Sequence, residues 1–378
     1  MSLCITSSGL TDAALQATAN LAAASGQLLT FPFGQTLILT QPLKITSPCA
    51  GAGCILQTSH PLSPALELQG ISESTCTLPH VIQTSQVWAA GPLPSALATL
   101  DSGVRITNCL SCNITLGHIL GFSIGTLLYS ASGLPSENFC AYNTIHLGHC
   151  ENNKVNLAIA TDNNTTGPTA SSTNQHTLIG GRMSHYSSPT NSVAEVGTRH
   201  ILIALASSLI NGIIFLGTSL EGDTPEFHVD NFGLYTQLIG CRWETSTVPP
   251  KYRRGSATVT CLDTTSNIAT CRNDMIIGGY SSGSIVKTDD FTTGFCQLDP
   301  FQLTVGQLTA TGTGLNATAG FVSAKTLYTS GVEISAGSGP PNGSVIGSIG
   351  DEYTDTSAPA KWFKASGTAT NIGWIQKW

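Results

Sequence analysis

Four stretches in the middle of the chain repeat one short phrase: Asn174-Gln-His-Thr-Leu-Ile-Gly180, Asn211-Gly-Ile-Ile-Phe-Leu-Gly217, Tyr235-Thr-Gln-Leu-Ile-Gly240 and Asn273-Asp-Met-Ile-Ile-Gly278. Fainter versions run from Asn113 to Gly121 and from Asn143 to Gly148. An apolar strand closed by glycine thus recurs at steps of 27, 32, 37, 23 and 38 residues, counted between Gly121, Gly148, Gly180, Gly217, Gly240 and Gly278. A unit this short cannot bury its apolar face alone, and stacking on copies of itself solves that problem. The unequal steps place loops of unequal length on a regular shaft.

The surface implied by composition fits such a shaft. Only 10% of the 378 residues are charged, against about 25% in an ordinary globular protein. Solubility must then come from Ser, Thr, Asn and Gln, and such a surface suits hydroxyl-rich ligands. The net charge is −7 and no basic run exceeds Lys251-Tyr-Arg-Arg254, which argues against nucleic acid as a partner. The apolar run from Ile201 to Gly217 is short and contains Ser207, Ser208 and Asn211, so no membrane insertion is expected. The start, Met1-Ser-Leu-Cys-Ile-Thr6, lacks the basic and apolar blocks of a secretory signal. Twelve cysteines are too dilute for a disulfide scaffold, and most stand within apolar strands as small buried hydrophobes. Cys109-Leu-Ser-Cys112 has no second pair at metal spacing, and whether Cys49 and Cys54 close a loop is left open.

Residues 1–41 read as an attachment segment, a capping helix and the first strands. Thr11 and Asp12 cap an Ala-rich run that Gly26 ends, and a helix there would cover the otherwise naked first coil. Residues 42–300 are short β-branched strands separated by Gly, Asn, Ser and Pro, amounting to roughly ten turns at about 25 residues each. Beyond residue 301 alternating strands lead to an aromatic-rich end with Tyr353, Trp362, Phe363, Trp374 and Trp378. So little core of its own points to a homotrimer in which neighbouring chains complete this region.

Two places carry a family resemblance. The stretch from Asp12-Ala-Ala-Leu-Gln-Ala17 to Gly26-Gln-Leu-Leu-Thr-Phe-Pro-Phe-Gly34 resembles the beginning of right-handed β-helix proteins of the pectate-lyase superfamily, with Leu37 where an aromatic is common. The tail Gly347-Ser-Ile-Gly-Asp-Glu-Tyr353, with Lys361-Trp-Phe363 and Asn371-Ile-Gly-Trp374, resembles a module at the C-terminal end of bacteriophage tailspikes and tail fibres. The resemblance implies an all-β fold: a right-handed single-stranded parallel β-helix with an N-terminal capping helix and a C-terminal β-rich trimerisation region at 301–378. It also implies a virion tailspike, made in the host cytoplasm, that recognises host surface polysaccharide and in many relatives cuts it. Larger relatives have a head domain ahead of the helix. Here attachment to the phage tail would use the first ten or so residues or an adaptor protein. The rival readings are a secreted polysaccharide lyase or hydrolase of the same fold and a purely structural virion fibre.

Counting from the phrase glycines puts Glu221 and Glu244 at the same offset of four, where neighbouring phrases have Ser184 and Ser282. On consecutive coils two carboxylates would lie about 4.8 Å apart, near the ~5–5.5 Å of retaining glycosidases. Like charges that close leave an acid beside a base. Asp223, Glu226 and Asp230 offer a third carboxylate, of which Asp223 is the preferred catalytic partner. Trp243, Tyr252, Arg242 and Arg253, with Arg254, supply a stacking face and donors for glycan binding. Histidines 146, 149, 176, 185, 200 and 228 stand in different phrases without a Glu or second His at ligand spacing, so they read as solvated or loop-bonded. No metal and no cofactor is expected.

Overall fold

The computed structural model describes residues 2–5, 11–85, 88, 91–134, 138–162, 171–185, 195–204, 210–222, 225–244, and 332–377 except 359. Between 251 and 329 it describes only the strands Lys251–Arg254, Asn273–Ile277, Tyr280–Ser281, Val286–Thr288, Phe295–Leu298 and Thr326–Thr329. The chain forms two compact units, residues 1–304 and 305–378.

In the first unit the coils give strands to three long parallel sheets, and three of them add a strand to a short fourth, Phe139–Ala141, Ser172–Asn174 and Ile210–Asn211. The first sheet holds eleven strands, from Ser2–Cys4 and Leu28–Thr30 through Thr177–Ile179, Ile214–Leu216 and Gln237–Ile239 to Phe295–Leu298. The second runs over nine strands from Thr36–Ile38 to Tyr280–Ser281, and the third over nine from Leu43–Ile45 to Val286–Thr288. Every neighbour within these sheets is parallel and one coil away, which makes the fold a parallel β-helix. At about 4.8 Å per strand the first sheet is on the order of 50 Å long.

The core is built of ladders. On the first sheet Cys76, Ile114, Ile145, Leu178, Phe215 and Leu238 are successive register partners, each with no exposed surface. On the second the inward column is Ile119, Cys150, Met183, Leu220 and Trp243. On the third it is Val104, Thr126, Leu157, Ile201 and Val229. Each buried large apolar side chain contributes about 1.5–3 kcal/mol, and stacking like on like gives every coil the same interior. The third sheet is covered outside as well: Leu93, Leu97, Ala98 and Leu100 pack on Leu127, Ala158, Leu202 and Phe232. All of Val155–Thr161 is therefore buried.

Two backbone columns close the coils. Two residues ahead of successive first-sheet strands, Glu73, Ser111, Tyr142, Gln175, Gly212 and Tyr235 all take left-handed φ, from 49 to 66°. The strain is held by hydrogen bonds to the next coil, such as Gln175 N to Asn211 O at 2.8 Å. After the strands, Gly180, Gly217 and Gly240 share φ of 62–66°, where a side chain would be strained. Gly148 belongs to a different column, facing Gly117 and Gly181 so closely that a Cβ on it would meet Gly117 O at 2.1 Å. Gly121 instead follows the second-sheet strand His118–Leu120, so the first-sheet phrase that begins at Asn113 ends at Gly117 rather than Gly121.

The helix spans Asp12–Ala24, with the Thr11 hydroxyl accepting from Ala14 N and Gly26 just past its end. Leu15, Ala19 and Ala22 are buried beneath it. Gln16 exchanges two 2.9 Å hydrogen bonds with the backbone of Lys44, and Asp12 accepts from Thr40 N at 2.9 Å. These side chains satisfy the free edge of the third sheet and the end of the first second-sheet strand, as an exposed edge requires. At the start of the chain Ser2–Cys4 pairs with Leu28–Thr30 as a strand of the first sheet, and Ile5 is buried. The described cysteines are all free, and all but Cys4 are buried. Cys49 and Cys54 therefore do not close a loop, and burial pushes the Cys140 and Cys150 thiols up to about 12.

The second unit is a five-stranded sheet of Thr326–Thr329, Val332–Gly337, Glu352–Asp355, Ala360–Lys364 and Trp374–Lys377, antiparallel except where Val332–Gly337 meets Glu352–Asp355. Tyr353 and Trp374 meet edge to face at 6.1 Å and form its small core. Among the described residues no helix is long and apolar enough to cross a membrane.

Candidate functional site

Strand alternation turns two columns of the second sheet away from its core. One reads His118, His149, Arg182, Ser219 and Arg242; the other reads Leu120, Glu151, Ser184, Glu221 and Glu244. Basic and acidic groups thus run side by side over successive coils. Glu221 and Glu244 are register partners, as their common offset from the glycines requires.

Each of these carboxylates has its own cation. Glu221 is nearly buried: Oε2 accepts from Arg182 Nε at 2.7 Å and Oε1 from Ser219 Oγ at 2.7 Å. Glu244 is more open and pairs with Arg242 on its own strand. The arrangement is an alternation of ion pairs rather than two bare carboxylates facing each other.

Trp243 does not belong to a stacking face. It is 1% exposed, because its register position is that of Leu220 and Met183 in the inward column. Its ring lies 6.3 Å from His228 inside the coil. Tyr252 and Arg253 belong to the third sheet, paired with Val229 and Asp230, and so stand on a different sheet from the glutamates; their side chains lie outside the described residues. Asp223 also lies outside them.

Glu226 and Asp230 form a separate acidic group on the third sheet. Arg199 donates to both, Nη1 to Glu226 at 2.7 Å and Nε to Asp230 at 2.8 Å, with its guanidinium 4.8 Å above Phe227. These groups line a cleft of about 300 Å³ walled by Leu93, Leu97, Val196 and Phe232.

Of the expected solvated or loop-bonded histidines, His176, His185, His200 and His228 are buried rather than solvated, and His185 and His228 bond the backbone carbonyls of Asn153 and Gly222. His185 and His200 stack at 4.8 Å, and His200 meets His228 edge-on at 5.2 Å. Burial lowers His176 and His185 to about 4, and burial with two neighbouring imidazoles holds His200 well below its ordinary value. His149, by contrast, is brought beside a second histidine and a carboxylate. His118 Nε2 lies 3.3 Å and His149 Nε2 3.7 Å from Glu151 Oε2. Burial, then the nearby His149, lowers the pKa of His118. The signal was present in the repeated tripeptide Leu-Gly-His at 116–118 and 147–149.

No protein-family model matches the chain, and no curated protein does. Three solved chains match. One is ORF18 of Geobacillus virus E2, at 13% identity and a TM-score of 0.40 over 79% of this chain and 61% of that one. This chain therefore spans about three fifths of that protein. Another is the Dettilon tailspike protein, at 13% identity and a TM-score of 0.23 over 76% of this chain and 68% of that one. The parallel β-helix stands on the strand register itself, independently of these likenesses.

Proposed function

We propose that the chain is a bacteriophage tailspike, a homotrimer carried on the virion that binds host surface polysaccharide along the outer face of its second sheet. The observation that carries the reading is the double column of Arg182, Arg242, Glu221 and Glu244 with the serines between them. Its groups recur at about 4.8 Å per coil, so a linear hydroxylated polymer laid along the column meets donors and acceptors at successive steps. The resemblances at the two ends of the chain supply the viral context, with attachment to the tail through the N-terminal end or an adaptor.

Within this reading, binding is favoured over hydrolysis. Both oxygens of Glu221 are engaged by Arg182 and Ser219, and a general acid needs a carboxyl free to carry and deliver a proton. The test is incubation with purified surface polysaccharides of candidate hosts, scored for retention and for fragment release. Retention that falls in Arg182→Ala and Glu244→Gln is expected. Release that disappears in both Glu221→Gln and Glu244→Gln would restore the glutamates as catalysts, and no retention of any glycan would leave a structural fibre. A denaturing gel with and without heating reads the trimer separately.

A further inference from the structure

On the same sheet, but on earlier coils than the glutamate pair, three donors converge that the proposed function does not use. His118 and His149 are direct register partners, and Glu151 ends the strand that His149 begins. One ligand atom from each lies within 4.8 Å of the other two. The 3.3 and 3.7 Å separations from Glu151 Oε2 to the two Nε2 atoms bracket the edge of a tetrahedron with bonds of ~2.0–2.1 Å, which is about 3.4 Å. His118 Nε2 is buried and turned to the Glu151 carboxylate, so the donor atoms already face one another.

We propose that His118, His149 and Glu151 form a binding site for a divalent first-row transition ion, Zn²⁺ in the first instance, with a fourth position left to water. Two imidazoles, which are borderline donors, with one carboxylate suit zinc over the hard, all-oxygen preferences of Ca²⁺ or Mg²⁺. The His80 ring holds the neighbouring backbone in place, its Nδ1 accepting from His118 N at 2.7 Å. Loading requires one local change. The two rings are stacked at 4.9 Å and 16°, so one imidazole turns about its soft terminal torsion and His149 Nε2 gives up its 3.3 Å contact with Ser184 Oγ. The ion then ties two successive coils together, and its binding free energy adds to the stability of the fold.

The test uses the full chain, freed of metal and carrying Cys4→Ser to remove the exposed thiol. Titration with Zn²⁺ by calorimetry and with Co²⁺ by visible absorption is expected to show one equivalent, a four-coordinate cobalt spectrum without thiolate charge transfer, and a rise in melting temperature. His118→Ala, His149→Ala and Glu151→Gln should each weaken binding by more than about tenfold, the lower end of what even outer-sphere changes produce. His146→Ala, on the neighbouring sheet, should leave it unchanged, and His149→Gln serves if the alanine variant does not fold. No uptake, thiolate bands, or undiminished affinity in Glu151→Gln together with His149→Gln would overturn the site.

Discussion

In residues 1–304 an apolar side chain is buried by standing on its counterpart in the coil below, whereas in residues 305–378 a handful of aromatics must do the work once. The contrast is visible in what each leaves exposed. The β-helix hides its ladders almost completely, from Ile114 through Leu238. The C-terminal sheet buries Tyr353 and Trp374 but leaves Ile346, Ile349, Ile372 and Ile375 between 59 and 65% exposed. Repetition makes a core out of single residues, because each copy supplies the wall its neighbour lacks. A short sheet without repetition has too little volume to cover its own apolar surface, which is the physical motive for the trimer proposed above.

The sharpest way to break this comparison is to cut a ladder. Trp243→Ala should destabilise the first unit by about 3–5 kcal/mol, and retention of glycan per folded molecule should not change, because the ring lies inside the coil. Denaturant melts and a retention assay on the same variant decide it. Lost retention at unchanged stability would return Trp243 to the surface.

Acid should separate the two units. In the folded chain His176 and His185 sit at about 4, against about 6.5 unfolded. Between those values the unfolded chain holds protons that the folded chain refuses. Stability is therefore whole above about pH 6.5 and declines as pH falls toward 4, by about 2 kcal/mol per histidine at pH 5. All nine histidines precede residue 305. In the second unit Asp355 is held below its ordinary 3.8, first by the Ser357 hydroxyl and then by backbone N–H groups, so its contribution persists above that value and fades only below it. Hydrogen exchange at pH 7 and pH 5 should show faster opening in the first unit alone. Equal protection of the first unit at both values would refute the buried neutral histidines.

The repeat itself was the legible part. The Gly-closed phrases are first-sheet strands, the helix caps are where Thr11 and Gly26 place them, and the glutamates share a register because strand position can be counted from a fixed glycine. The same count sets Trp243 three past Gly240, where Met183 and Leu220 stand past Gly180 and Gly217. Its burial is thus written in the register, although an aromatic ring by itself suits a sugar-stacking face. Other features were hidden by geometry. The asparagines that introduce the phrases fall at different register positions: Asn113 opens a strand, Asn143 sits in the turn, and Asn174 ends the preceding strand. Loops of unequal length obscured which glycine matches which, so that only the repeated Leu-Gly-His tripeptide marked His118 as lying over His149. The burial of His176 and His185 was hidden for another reason. It depends on corners between sheets, where no period of two applies.

Within the C-terminal unit the smaller effects test how far a few polar contacts replace a core. Lys364 is fully buried, and its Nζ donates to Thr370 O at 2.7 Å, Thr370 Oγ1 at 3.0 Å and Ile372 O. Lys364→Met removes the donor and strands those acceptors, at a cost of about 1–3 kcal/mol. The loss should appear as faster exchange across Ala360–Lys364 and Trp374–Lys377 while the first unit is unaffected. Lys377→Ala deletes the exposed pair with Glu352 and a cation–π contact with Phe363 at 5.4 Å, together worth about 1 kcal/mol and partly screened by salt. A Lys377→Ala effect as large as that of Lys364→Met, and persisting in high salt, would mean that this pair is enclosed by neighbouring chains, and that the second unit draws its stability from the assembly rather than from Lys364, Tyr353 and Trp374.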